Sequence, residues 1–134
     1  MKRLEFHSTR SLMDKLGVKP LSRVSVLGID DQAFWQQLIA SGADAIIGRP
    51  RIESDLIFFA ADSLEALQIL DRLKDYLTPN GAIWVVSLKG KAAKIKDTDV
   101  ISAAKQSGLV DNKVVSFSET HTALRLVIPL ANRT

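Results

Sequence analysis

Two neighbouring carboxylates, Asp30 and Asp31, are the side chains in this sequence with the clearest potential for chemistry. They follow residues 23–29, an apolar and β-branched segment that predicts the first strand. In open α/β sheets, ligands bind at the carboxyl ends of strands, so the pair could ligate a metal or act as acid and base. The alternative is a helix cap with a neighbour that compensates the helix dipole. We favour the cap, because the sequence places no histidine or further carboxylate to complete a site.

Basic side chains follow a later predicted strand. Lys89 and Lys91 flank Gly90, and Lys94 and Lys96 continue the cluster. Their ammonium groups could hold a phosphate or an acidic partner. The alternative, a solvated loop without a ligand, is the interpretation we favour.

Arg49 and Arg51 lie in the loop formed by residues 48–51 and offer two guanidinium groups. If the sheet is wound as proposed below, both lie on the same carboxyl edge. The alternative is an ordinary surface turn, which we favour. The candidate ligand-binding residues are therefore Gly28, Asp30, Asp31, Arg49, Arg51, Lys89 and Lys91.

The two histidines and two tryptophans do not extend these candidates. His7 and His121 lack the nucleophile and carboxylate pattern of a catalytic triad, and we expect both at the surface. Trp35 and Trp84 lie in an apolar helix and an apolar strand, which indicates packing residues. We predict no catalytic residue and no metal site.

The elements that must position these residues are organised around residues 54–89. A short apolar run at 54–61 precedes a predicted helix at 63–77. The turn formed by Thr78, Pro79, Asn80 and Gly81 leads into a second apolar run at 82–88. Strand, helix and strand form a βαβ unit, and continuous apolar strands indicate a sheet covered on both faces.

The remaining segments extend this pattern on both sides. Further helices are predicted at 11–16, 32–40 and 99–106, a short strand at 43–47, and a hairpin from 113–118 and 123–129. We therefore expect a three-layer, doubly wound α/β fold with a mostly parallel sheet and a C-terminal antiparallel hairpin. Residues 48–53 can span only about 20–25 Å between the second and third strands, so the second strand must be short.

Bulk properties restrict the class of protein. A length of 134 residues suits a single domain, and the absence of cysteine suits a reducing cytoplasm. No apolar run approaches the roughly 20 residues of a membrane helix, and the N-terminus lacks the apolar core of a secretory signal. A net charge of +3 is too mild to indicate nucleic-acid binding, although weak binding through the basic cluster is a third hypothesis.

Two stretches resemble class I S-adenosylmethionine-dependent methyltransferases. Residues 18–28, VKPLSRVSVLG, resemble the turn and first strand of that fold, and residues 77–85, LTPNGAIWV, resemble its Leu-Lys-Pro-Gly-Gly turn and following strand. The terminal hairpin is also a feature of that fold. The resemblance spans most of the chain and implies a Rossmann-like architecture.

A closer resemblance is to a bacterial family of small proteins of unknown function. Members are similar to this chain at 16–20 (LGVKP), 55–57 (DLI), 82–85 (AIWV) and 108–114 (GLVDNKV). This resemblance implies a fold and no activity.

The chain departs from the methyltransferase pattern where the cofactor binds. The resemblance implies a Gly-x-Gly-x-Gly turn, but Gly28 is followed by Ile29, Asp30 and Asp31. It also implies an acidic residue for the ribose after the second strand, where this chain has Ile47-Gly48-Arg49. We therefore expect no cofactor and a non-catalytic module for an anionic ligand or protein partner. The alternative is a divergent methyltransferase that uses S-adenosylmethionine.

Overall fold

The computed structural model describes residues 11–133, and these contain one six-stranded sheet. Its strands are β1 (Arg23–Leu27), β2 (Asp44–Ile47), β3 (Ser54–Ala60), β4 (Leu77–Leu88), β5 (Val110–Ser116) and β6 (His121–Val127). The order across the sheet is β2-β1-β3-β4-β6-β5. The first four strands are parallel, whereas β6 runs antiparallel to both β4 and β5. The predicted α/β fold with a C-terminal antiparallel hairpin is confirmed.

Helices cover both faces of the sheet. They are α1 (Leu12–Leu16), α2 (Gln32–Ala40), α3 (Leu70–Leu73) and α4 (Asp97–Gln106). The alternation of side chains along each strand divides the core into two layers. One layer packs Val24, Phe58 and Trp84 against α1 and α2. The other packs Ile57 and Ile83 against α3 and α4.

The central strands β1, β3 and β4 are parallel neighbours, as expected for a mostly parallel sheet. In β1 and β3, Val26 lies opposite Phe58, and in β3 and β4, Phe58 lies opposite Trp84. In the C-terminal hairpin, Val114 lies opposite Leu124. Strands of continuous apolar sequence therefore form the buried centre of the sheet, as the sequence predicts.

The helix predicted at 63–77 is wrong in length and regularity. Only α3 is α-helical, and 3₁₀ turns at Ala66–Ile69 and Lys74–Tyr76 flank it. Leu67, Leu70 and Leu73 are buried at a spacing of three residues, which matches the 3₁₀ period. Leu64, at the same spacing near the start of the predicted helix, is instead 61% exposed.

The turn predicted at residues 78–81 is also wrong, because these residues belong to β4. The pairing of β3 with β4 shifts there: Ser54 lies opposite Leu77, but Leu56 lies opposite Ala82. The extra residues of β4 form a bulge beside Asp55. A Cβ atom on Gly81 would lie 2.9 Å from the carbonyl oxygen of Asp55, so the bulge requires glycine there.

The short link between β2 and β3 crosses β1. The backbone N–H of Arg51 donates to Oγ of Ser25 at 3.1 Å, and that hydroxyl lies 2.9 Å from Oγ of Ser54. Ser25 is in β1 and is fully buried, so the link passes over this strand. The expectation of a short second strand is confirmed by the four residues of β2.

Within residues 11–133, no helix is long and apolar enough to cross a membrane. His7, expected at the surface, lies outside the described residues.

Candidate ligand-binding cleft

A cleft of about 370 Å³ lies at the carboxyl ends of β1, β3 and β4. Its floor is apolar and includes Ala60, Val86 and Phe117. One wall is the turn after β1, and the other is the loop between β5 and β6. Mostly apolar clefts with a few polar groups are typical of small-molecule sites, for which this volume lies near the lower limit.

Gly28 allows the turn after β1 to lie against β3. Its φ is +76°, in the left-handed region that disfavours side chains. A Cβ atom at this position would contact the Cβ atom of Ala60 at 3.5 Å. The backbone therefore approaches the cleft closely at Gly28, and the next residue, Ile29, adds an apolar side chain to the lining.

Asp31 is a helix cap, as we favoured from the sequence. Its Oδ1 atom accepts a hydrogen bond from the backbone N–H of Phe34 at 3.0 Å. Phe34 is buried, and its ring lies 5.0 Å from that of Phe58 and 4.8 Å from that of Phe117. The cap thus fixes the first turn of α2 against the floor of the cleft.

Asp30 has a different environment from its neighbour. Its side chain is exposed and lines the cleft. Within residues 11–133 it makes no side-chain hydrogen bond or ion pair. Asp30 is therefore the carboxylate whose oxygens remain available to a ligand.

His121 joins the cleft from the hairpin, although the sequence alone predicts a surface position for it. It is half-buried, and Nδ1 lies 2.7 Å from Oγ1 of Thr120. His121 begins β6 opposite Leu88, the last residue of β4. The antiparallel return of the hairpin therefore places it at the edge where the parallel strands end. No local sequence pattern indicates this position, because it depends on the register of the hairpin.

The basic cluster lies beside the cleft rather than in its lining. Lys89 is half-buried and Lys91 exposed, whereas β4 is buried from Trp84 to Ser87. Nζ of Lys89 donates to Oγ of Ser116 at 2.8 Å. Lys94 and Lys96 are exposed, but Ile95 between them is buried and anchors the loop.

The expectation that both arginines share the carboxyl edge is wrong for Arg51. Its guanidinium binds Asp44, the first residue of β2, with Nη1 3.2 Å from Oδ1. The link carries Arg51 back toward the amino end, because it must return to the start of β3. Arg49 is exposed and follows the carboxyl end of β2. Of the two, only Arg49 lies on the expected edge.

Trp84 is a packing residue, as predicted. It is fully buried, and its indole N–H donates to the carbonyl oxygen of Leu16 at 3.0 Å. Trp35 is half-buried and packs against the core layer beneath α2. Within residues 11–133, no three His, Asp or Glu side chains are grouped as a metal site.

A family model described as "Protein of unknown function (DUF3052)" matches residues 49–130. The chain belongs to this family. The match covers β3 to β6, the part of the chain that includes the bulge of β4 and the hairpin with His121. No curated protein matches the chain.

Several solved structures similar to this DUF3052 protein are methyltransferases. An S-adenosylmethionine-dependent methyltransferase from Aquifex aeolicus is 13% identical with a TM-score of 0.69, and the match covers 88% of each chain. The O-methyltransferase NcsB1 of neocarzinostatin biosynthesis is 13% identical with a TM-score of 0.67, over 89% of this chain and 51% of that one. The mitomycin 7-O-methyltransferase MmcR is 10% identical with a TM-score of 0.66, over 85% and 50%. This chain spans about half the length of the last two, and the likeness shows the fold alone.

The residues of the cleft do not fit S-adenosylmethionine, the group that this fold implies. After Gly28 the turn presents Ile29 and two carboxylates, and Asp31 is already engaged by the backbone of α2. At the end of β2, where the ribose would need a carboxylate, Ile47 is 57% exposed and Arg49 follows. The glycine-rich turn and the acidic ribose-binding residue that the resemblance implies are therefore both missing from these positions.

Proposed function

We propose that this protein is a non-catalytic binding module that holds a small ligand in the cleft at the carboxyl edge. The observation that carries the proposal is the combination of an apolar floor with Asp30, an exposed and unpaired carboxylate within the described residues, on the rim. The same edge binds ligands in open α/β sheets generally. Support for a role without catalysis is the poor fit of the turn after β1 to S-adenosylmethionine.

The charges of the cleft favour a ligand different from the anion expected from the sequence. Asp30 and Asp31 both line it, and like charges repel an anion. The ligand we propose has an apolar body for Ala60, Val86 and Phe117 and an amine that donates to Asp30. Arg49, Lys89 and Lys91 remain candidates for contacting an anionic protein partner around the cleft.

A matched pair of aromatic probes tests the proposal. Benzylamine and benzoate share a ring and differ in charge, so their effects on the amide NMR signals of the full chain separate charge from shape. We expect benzylamine to shift the amides of Gly28, Ile29 and His121 with saturation, and benzoate to leave these three unchanged. No saturable shift with benzylamine, or equal shifts with both probes, would contradict the proposal.

A variant assigns the effect to one side chain. Asp30→Asn keeps the size and removes the charge, and it should weaken benzylamine binding about tenfold, since a hydrogen bond to a charged group contributes about 1.5–3 kcal/mol. Glu65→Gln is the control, because Glu65 is exposed and lies before the 3₁₀ turn that covers the other core layer. This control should bind benzylamine as the unaltered protein does.

We further propose that the chain acts as a single domain in a bacterial cytoplasm. The absence of cysteine in all 134 residues supports a reducing compartment. A cell-fractionation experiment with the tagged protein tests the location.

A further inference from the structure

A second hollow lies at the opposite, amino edge of the sheet. Its volume is about 470 Å³, larger than that of the cleft described above. It is bounded by the segment that enters β1, by Asn80 in the bulge of β4, and by Arg125 in β6. None of the candidate ligand-binding residues predicted from the sequence lines it.

Arg125 occupies an inward-facing position of β6. It alternates with Ala123 and Val127, both buried, and lies opposite Trp84 in the neighbouring strand. Its guanidinium makes one hydrogen bond to another side chain within residues 11–133, from Nη1 to Oδ1 of Asn112 at 3.2 Å, and no ion pair. Arg125 is half-buried, and a guanidinium partly removed from water gains from an opposite charge, which no carboxylate within residues 11–133 supplies as an ion pair.

A second guanidinium adds to the positive charge near the hollow. Burial lowers the pKa of Arg125, and the charge of nearby Arg133 lowers it further. Arg133 is held in place through Nε, which donates to the carbonyl oxygen of Ile128 at 2.7 Å. Two like charges held close together favour a bound anion, which offsets their mutual repulsion.

The walls carry one further charge of each sign. Lys19 and Asp55 both line the hollow. Oδ2 of Asp55 accepts from the backbone N–H of Arg23 at 2.9 Å, so part of this carboxylate's charge is compensated by the start of β1. With Arg125, the charged residues of the lining are two cations and one carboxylate, so the charge balance of the hollow is positive.

The rim has an exposed apolar side chain held in a strained conformation. Leu21 has a φ of +69°, rare for a residue with a side chain, and is 81% exposed. Its backbone N–H donates to the carbonyl oxygen of Gly42 at 2.8 Å, which holds the turn in place. Strain of this kind persists where the surrounding structure enforces it and is concentrated at ligand sites.

We propose that this amino-edge hollow binds a small organic acid. The anionic group pairs with the guanidinium of Arg125, whose planar donors match a carboxylate or a phosphate. The apolar body lies against Pro20 and Leu21 at the rim. This site is separate from the carboxyl-edge cleft and does not depend on the function proposed for it.

Amide NMR titrations of the full chain test the site. Benzoate and phenyl phosphate are the anionic probes, and benzyl alcohol is the neutral control of similar shape. We expect both anions to shift Gly17, Leu21 and Asn80 with saturation, and benzyl alcohol to shift them far less. The stronger of the two anions distinguishes a carboxylate site from a phosphate site. Absence of a saturable shift with either anion up to about 10 mM, where a Kd of about 1 mM would give near-saturation, would overturn the proposal.

Variants distinguish the contribution of the Arg125 side chain to anion binding from the contribution of positive charge in general. Arg125→Gln should weaken binding of the preferred anion at least tenfold, since charge-assisted hydrogen bonds contribute about 1.5–3 kcal/mol. Arg125→Lys keeps the charge and loses the planar donors, so it should weaken binding to an intermediate extent. Arg72→Gln, at an exposed arginine of α3 on the other face of the sheet, should have no effect. Undiminished binding by a folded Arg125→Gln variant would refute the assignment. If the Gln variant does not fold, weakened binding by Arg125→Lys supports the assignment and undiminished binding refutes it.

Discussion

At the scale of single residues, the neighbouring carboxylates Asp30 and Asp31 have different roles despite identical chemistry. Asp31 caps α2, and Asp30 lines the cleft without a partner in the described part of the chain. We predict that Asp31→Ala lowers the free energy of unfolding by about 1 kcal/mol, the usual cost of losing a cap. Asp30→Ala, the control, should change it by less than about 0.5 kcal/mol, as is usual for surface sites. Urea denaturation measures both, and equal losses would contradict the division of roles.

Trp84 gives a second prediction at this scale. Its indole N–H is the donor for the carbonyl oxygen of Leu16 and holds the end of α1 against the sheet. Trp84→Phe keeps an aromatic ring but leaves this carbonyl unpaired, at a cost of about 1–3 kcal/mol. Trp35→Phe is the matched control, since Trp35 is only half-buried and makes no hydrogen bond through its ring within residues 11–133. Urea denaturation of the two variants should show the larger loss for Trp84→Phe.

At the scale of elements, the basic loop after β4 combines exposed lysines with one buried anchor. Ile95 is 5% exposed and packs in the core layer beneath α4. We predict that Ile95→Ala lowers the free energy of unfolding by about 2–5 kcal/mol, as for other large-to-small core substitutions. The double variant Lys89→Glu and Lys91→Glu should change it by only about 0.5 kcal/mol.

Denaturant unfolding of these two loop variants provides the measurement. A loss of several kcal/mol in the lysine variant would mean that the bond from Lys89 to Ser116 is a major structural contact. A neutral Ile95→Ala variant would mean that the loop folds without its anchor.

Sequence predicts well those elements whose apolar pattern fits one kind of secondary structure. Runs such as 56–59 and 83–86 are apolar on both faces, as in a strand covered by helices, and both lie in central strands. Predictions fail where tertiary contacts decide the conformation. The segment at 63–77 has helical periodicity, but burial of a leucine at every third position favours 3₁₀ turns. Gly81 and Pro79 indicate a turn, yet pairing with β3 draws them into a bulge.

The candidate site was less predictable than the fold, because its residues come from distant parts of the chain. The position of the segment after β1 at the carboxyl edge was predictable, since the ends of parallel strands lie at one edge. His121 lies in the cleft because of the register of the hairpin. Arg51 lies at the opposite edge because of the direction of the six-residue link between β2 and β3. Neither register nor direction is encoded in local sequence patterns.

At the scale of the whole molecule, the linings of the two hollows differ in charge. Asp30 and Asp31 line the carboxyl-edge cleft, whereas Arg125 and Lys19 outnumber Asp55 in the amino-edge hollow. The sheet between them is buried on both faces, so packed core residues separate the two hollows. We therefore infer that the same scaffold can hold ligands of opposite charge independently.

The fold is that of methyltransferases, but we predict that this protein does not bind S-adenosylmethionine tightly. The cofactor requires a close approach of the backbone after the first strand, and Ile29 and Asp30 place side chains there. The positive sulfonium would tolerate the carboxylates, so the exclusion is steric rather than electrostatic.

The ribose provides the second reason for this prediction. Its hydroxyls would lose their acceptor where β2 ends at Ile47 and Arg49 follows, at a cost of about 1–3 kcal/mol, which corresponds to a loss of affinity of about ten- to a hundredfold. Calorimetric titration of the full chain with S-adenosylmethionine and with its demethylated product measures the affinity directly. We expect no heat of binding at micromolar concentrations of either compound. One site per chain with a micromolar Kd for either would overturn the prediction, and the divergent methyltransferase would then be the better interpretation of this fold.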